Sequence, residues 1–193
     1  TWGEDSLDYA TETALPDGGL LLEDLRGGKG ADIRAAAEDG AAFLCVCGGY
    51  QLMGHSYETH EGERFEFLGA LDLVTTGAKE RLIGNFAFDT EFGPVVGFEN
   101  HSGRTKLGPG VQPLGQVIVG YGNNGEDGTE GARYKNVFGT YSHGPVLPKN
   151  PELCDGILTA ALVRKYGSVT LEPLPDKSER EAHASVLSSL TGR

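Results

Sequence analysis

The chain has 193 residues, 28 acidic against 16 basic, for a formal charge of −12, which excludes binding to nucleic acid or to an anionic membrane through bulk charge. Hydrophobic residues at 38% suit a folded α/β domain and exclude a disordered chain. No apolar run approaches the roughly 20 residues of a membrane span, and no basic stretch leads into an apolar h-region, so a cytoplasmic location is expected.

In chain order, residues 5–14 are polar with some helical spacing. Residues 15–30 are turn-rich, with Leu20–Leu22 between Gly18-Gly19 and Gly27-Gly28-Lys29-Gly30. That last cluster lacks the spacing of a phosphate-binding loop and reads as the start of the next helix. Residues 31–39 predict a helix, with Gly40 at its C-terminal cap. Residues 41–46, AAFLCV, form an apolar run without alternation, the pattern of a strand buried on both faces of a parallel sheet. Cys47-Gly48-Gly49 ends it, and Tyr50 onward opens a helix. Strand-like runs follow at 67–75, 81–90, 94–101, 115–122 and 136–143, separated by turn residues. Residues 151–166 and 177–190 read as helices. No repeat is present, and the order predicts one mixed α/β domain over residues 1–193.

Cys47 is the most informative residue. It sits between a buried strand and a helix, followed by two glycines, the pattern of a nucleophile elbow. A strained turn there lifts the side chain from the sheet edge. The helix N-terminus favours thiolate, and the Gly48 amide can donate to an oxyanion. Glycines are expected where a Cβ would clash. Three cysteines, Cys45, Cys47 and Cys154, are an odd number and indicate a reducing compartment. Cys45 and Cys47 alternate along one strand and should not bridge each other.

A cysteine nucleophile needs a base. His183 lies in a polar helix and reads as solvated, while His55 and His60 should point away from Cys47. His143 and His101 each end a strand-like run. His143, before Gly144-Pro145, is the better placed, though spacing alone does not decide between them. Cys45, Cys47, His55 and His60 lack the paired spacing of a zinc site. Asn100-His101-Ser102 matches a glycosylation sequon by chance in a chain without a signal. Arg81 alone reads as a solvated surface arginine.

Four segments together carry a resemblance: Cys47-Gly48-Gly49-Tyr50-Gln51; Gly97-Phe98-Glu99-Asn100-His101-Ser102-Gly103-Arg104; Tyr121-Gly122-Asn123-Asn124; and Gly139 through Pro145. From about residue 40 to 165 the chain resembles class I glutamine amidotransferases of the cobyric-acid-synthase (CobB/CobQ-like) type. Within that group it is similar to the glutaminase subunits (GatD type) of lipid II isoglutaminyl synthases. The resemblance implies a flavodoxin-like mixed sheet flanked by helices. It implies Cys47 as nucleophile, His143 as base, and Arg81, Gly48, Gly49 and Gln51 at the substrate, with Asn100 and His101 in support. It implies L-glutamine as substrate and ammonia delivered to a Mur-ligase-like partner of the MurT type, which amidates the D-glutamate α-carboxylate of lipid II. No metal or cofactor is expected in this subunit; ATP and Mg belong to the partner.

Three departures stand out. Many class I amidotransferases carry a glutamate two residues after the histidine, where this chain has Pro145, so a carboxylate from the partner or from elsewhere in the chain is expected to orient His143. The family's first strand–helix–strand unit is expected to be largely missing, with Gly3-Glu4-Asp5 as its remnant, leaving the second oxyanion donor unassigned. A chain without those strands is expected to expose sheet edges and fold poorly alone. Two other readings share the fold: a free-standing cysteine amidohydrolase or γ-glutamyl hydrolase, and a non-catalytic binding subunit. Coupling of glutaminase to a partner's ATP-dependent amidation separates them.

Overall fold

The computed structural model describes residues 22–192; the helical spacing read at 5–14 and the Gly3-Glu4-Asp5 remnant lie outside them. Leu25–Lys29 forms a π-helical turn leading into α1 (Gly30–Glu38), so the glycine cluster does open a helix. Gly40, at φ +78°, closes it, its amide donating to the Ala37 carbonyl.

The strands divide between two sheets. β1 (Phe43–Val46) runs parallel to β9 (Val137–Thr140), and β8 (Ala132–Tyr134) pairs antiparallel on β9's other side. α2 (Gly48–Leu52) follows β1 directly. The larger sheet has six strands: β2 (Ser56–Glu58), β3 (Arg64–Glu66), β4 (Leu73–Thr90), β5 (Gly93–Leu107), β6 (Gly115–Val119) and β7 (Thr129–Glu130). Its backbone is the β4–β5 hairpin, turned at Glu91-Phe92. α3 (Val146–Lys149), α4 (Pro151–Tyr166) and α5 (Lys177–Thr191) complete the chain. This is the mixed α/β architecture expected, and none of the described helices is long and apolar enough to cross a membrane.

Several local expectations are corrected. β1 is only half-buried and pairs, among the described residues, with β9 alone. The strand buried along its whole length is β9, flanked on both sides. Successive strand residues face opposite ways, so Val137 enters one core cluster with Tyr50, Leu71 and Leu73, and Phe138 enters the other with Phe86, Phe88 and Leu153. Residues 67–72 form a loop, and the 115–122 run stops at Val119, before positive-φ Gly120 and Gly122. His101 lies inside β5, not at its end. His183 is part-buried, its Nδ1 lying 2.9 Å from the Lys149 carbonyl and 3.1 Å from Asn150 Oδ1, so it ties α5 to the α3–α4 junction.

The close approach of α2 to β9 makes Gly139 necessary: a Cβ there would sit 2.3 Å from the Tyr50 ring. Gly139→Ala should lower unfolding stability by about 1–3 kcal/mol, read from urea midpoints. Gly84→Ala, whose Cβ would meet nothing within 4 Å, should leave stability unchanged or raise it by about 0–1 kcal/mol.

Candidate active site

The chain leaves β1 through a sharp turn. Cys47 adopts φ 50° and ψ −112°; the other described non-glycine residue with positive φ is Lys135, in the turn between β8 and β9. Such a conformation costs about 1–3 kcal/mol and persists only where its surroundings hold it. Two main-chain bonds do so: the Cys47 amide donates to the Thr140 carbonyl at 2.9 Å, and the Gln51 amide donates to the Cys47 carbonyl at 3.0 Å. The first ties the elbow to the end of β9; the second starts α2. Beyond Cys47, a Cβ on Gly49 would meet nothing within 4 Å. The expected clash is therefore absent at Gly49 among the described residues, where the chain is exposed.

The other two thiols are both shifted upward. The Cys45 thiol, inside β1, is pushed up to about 12, and that of Cys154 is raised by burial and by neighbouring Asp155. All three cysteines are unbridged.

His143 follows β9 by three residues and is buried. Its amide donates to the Phe98 carbonyl at 2.8 Å in an antiparallel bridge. Paired residues of such a bridge project to the same face, and so does the residue two further along β5. His143, Phe98 and Asn100 therefore share one face. Asn100 grips Arg81, whose Nε donates to Oδ1 at 2.8 Å and whose Nη2 donates to the carbonyl at 3.0 Å. The β4–β5 register slips between Gly77 and Leu82, and Arg104 Nη2 pins the bulge through the Glu80 carbonyl at 2.8 Å. A bulge re-aims the side chains it carries, and here it turns Arg81 to the face of His143. Arg81 also lines a cavity of about 330 Å³ with Tyr57, His60, Glu61, Lys79 and Ser102, which neither Cys47 nor His143 lines.

The alternate residues of β5 face the opposite way. His101 is buried, its Nδ1 lies 2.8 Å from the Gly103 carbonyl, and its ring stacks on Tyr141 at 3.6 Å between centroids. It packs behind the segment that carries His143. Gln51 does not present its amide to an open surface: it is buried, and Nε2 donates to the Tyr141 hydroxyl at 3.1 Å. Tyr141 is further bonded to Thr105 Oγ1 at 2.6 Å, which meets Thr75 Oγ1 at 2.8 Å. This chain couples the helix after the nucleophile to the loop before the base. His55 lies against Asp72 and His60 against Glu61, both at the surface. Among the described residues no group of three or more His, Cys, Asp or Glu could hold a metal ion.

Sequence reasoning did not find the buried carboxylates. Glu99 accepts from the Tyr121 amide at 2.8 Å and the Gly122 amide at 3.0 Å. Glu130 accepts from Thr140 Oγ1 and from the Tyr141 amide, both at 2.7 Å. Neither lies in a pattern that marks it as buried.

Residues 20–151 match the CobB/CobQ-like glutamine amidotransferase domain. The chain belongs to this family. It is 46% identical over 153 residues to the GatD subunit of lipid II isoglutaminyl synthase (glutamine-hydrolyzing) from Staphylococcus aureus, covering 79% of this chain and 61% of that protein. It is 42% identical over 151 residues to the Streptococcus pneumoniae GatD subunit, covering 77% and 58%. A cobyric acid synthase from Pelotomaculum thermopropionicum is 39% identical over 134 residues, 61% of this chain and 25% of that protein. The chain thus spans about three fifths of the length of the GatD subunits it matches. In this amidotransferase domain the β1–β9 pairing sets the Cys47 elbow beside the segment that leads to His143.

Tyr141→Phe removes the acceptor of the buried Gln51 amide. It should lower unfolding stability by about 1–3 kcal/mol, read by denaturant titration; an unchanged midpoint would mean that the Gln51–Tyr141 contact carries no weight.

Proposed function

We propose that the chain is the glutaminase subunit of a lipid II isoglutaminyl synthase. It hydrolyses L-glutamine to glutamate and ammonia and passes the ammonia to a Mur-ligase-like partner of the MurT type. That partner, with ATP and Mg, amidates the D-glutamate α-carboxylate of lipid II in the cytoplasm. This subunit needs no cofactor of its own. The observation that supports this reading best is the parallel pairing of β1 with β9, which sets the strained Cys47 elbow beside the loop carrying His143.

The chemistry follows from that placement. His143 takes the Cys47 proton, and the thiolate attacks the side-chain carboxamide carbon of glutamine. The Gly48 amide donates to the oxyanion. As the tetrahedral intermediate collapses, His143 gives its proton to the departing nitrogen, and ammonia leaves a glutamyl thioester on Cys47. His143 then deprotonates water, which attacks the thioester carbon; glutamate departs and the thiol is restored. Arg81, its guanidinium set by two bonds to Asn100, pairs with the glutamine α-carboxylate. Pro145 occupies the position two after His143, so a carboxylate from the partner, or one from elsewhere in this chain, orients the imidazole. Asn100 and His101 serve the site indirectly, one through Arg81 and the other through Tyr141.

A glutamine-mimicking diazoketone should label the peptide carrying Cys47, with glutamine suppressing the label and Cys47→Ala abolishing it, read by peptide mass spectrometry. Label on another residue would overturn the assignment. Arg81→Ala should raise KM for glutamine about 10–100-fold with a smaller effect on kcat, and Arg81→Lys should not restore it. Adding the partner should raise glutaminase turnover; unchanged turnover would place the orienting carboxylate in this chain.

A further inference from the structure

The glutaminase steps above leave Glu130 without a role, although it is fully buried beside the residues that perform them. It closes β7 and reaches the C-terminal end of β9. One of its oxygens, Oε1, accepts from both the Thr140 hydroxyl and the Tyr141 amide. Thr140 is also the residue whose carbonyl holds the Cys47 amide, and its hydroxyl accepts from the Ser142 amide at 3.0 Å. Each amide from Tyr141 to His143 thus has a named acceptor: Glu130, Thr140 Oγ1 and the Phe98 carbonyl. Among the described residues no sheet ladder spans this stretch beyond the single bridge at His143. These three bonds hold its main chain, and Glu130 makes the first while orienting the hydroxyl that makes the second.

We propose that Glu130 is a positioning residue for catalysis, its carboxylate clamping Thr140 and Tyr141 so that the base on one side and the nucleophile's amide on the other keep their alignment. The inference rests on the glutaminase reading. A charge-assisted bond is roughly twice as strong as a neutral one, so the clamp is tighter with the carboxylate ionised. The titratable groups acting on it are Glu99 from β5, Tyr50 from α2 and Tyr141 beyond β9; His101 stacks on that Tyr141 with its Nε2 3.7 Å from Glu99, and Asp127, ahead of β7, acts on the same Tyr50. Arg133 of β8 turns instead to Glu91 and the Phe138 ring. Burial, reinforced by Glu99 and opposed by the Thr140 and Tyr141 bonds, pushes the Glu130 carboxyl up to about 7. Among the described residues its second oxygen, Oε2, has no hydrogen-bond partner and is the place for the proton. As pH falls through that value the clamp loses its charge, and the rate falls with it.

The test compares diazoketone labelling of Cys47 in the full-length protein with its partner subunit, for wild type, Glu130→Gln and Thr140→Val, between pH 5.5 and about 9. Circular dichroism reports folding. Glu130→Gln should label about tenfold more slowly at pH 8, with half-saturating diazoketone unchanged and the wild-type acid limb near neutrality flattened. Thr140→Val should slow labelling in the same way but less. A wild type that does not label would sink the glutaminase reading itself. A wild type that labels beside a folded Glu130→Gln of equal rate and equal pH profile overturns the positioning role, as does a variant changed only in half-saturation. Should Glu130→Gln fail to fold, Thr140→Val decides: slower labelling at unchanged half-saturation supports the clamp, and wild-type labelling overturns it.

Discussion

The hydrogen bond from the Cys47 amide to the Thr140 carbonyl extends the β1–β9 ladder by one step past the end of β1, and the site is built around that step. It holds a backbone conformation that a cysteine does not adopt unaided. It also fixes the distance between two segments far apart in the chain, the elbow and the loop after β9. Because the pairing is parallel, both segments leave the sheet at the same edge, where ligands of open α/β folds collect. An antiparallel pairing would have sent them to opposite ends.

What supports that edge is polar as much as apolar. Val137 and Phe138 anchor β9 in two clusters, and each fully buried side chain of this size contributes about 1.5–3 kcal/mol. Beyond Thr140 the anchoring passes to hydrogen bonds with Glu130, Thr105, Gln51 and the Phe98 carbonyl. Such networks are costly if left incomplete and define one geometry when satisfied. Gly97 belongs to the same construction: a Cβ there would lie 1.9 Å from Ser142 Oγ, so β5 can approach the post-β9 loop closely only as glycine.

Cys47 was legible because an apolar run that stops abruptly at Cys-Gly-Gly leaves few alternatives to a strand–turn–helix. His143 stood beside His101 as a candidate that spacing alone did not separate, and the strand before it ends at Thr140, leaving His143 in the loop beyond. The role of β1 was misjudged, since an apolar run carries no record of how many neighbours a strand has; the same run would suit β9, which is the strand buried throughout. β2, β3, β7 and β8 were missed because two or three residues, most of them polar, show no period. Gln51 was read toward substrate, whereas its partner Tyr141 lies ninety residues away and could not be inferred from local sequence. Glu130 was invisible for the same reason: an acidic residue in a glycine-rich, acidic loop reads as solvated until the sheet closes over it.

The account stands or falls on Cys47 carrying the acyl group of glutamine. The most direct measurement is acid quenching of the complex during glutamine turnover, followed by mass analysis of the Cys47 peptide. A glutamyl adduct that hydroxylamine releases, and that is absent from Cys47→Ala, is the predicted result. Ammonia release that continues undiminished in Cys47→Ala, with no adduct on the wild-type peptide, would contradict it.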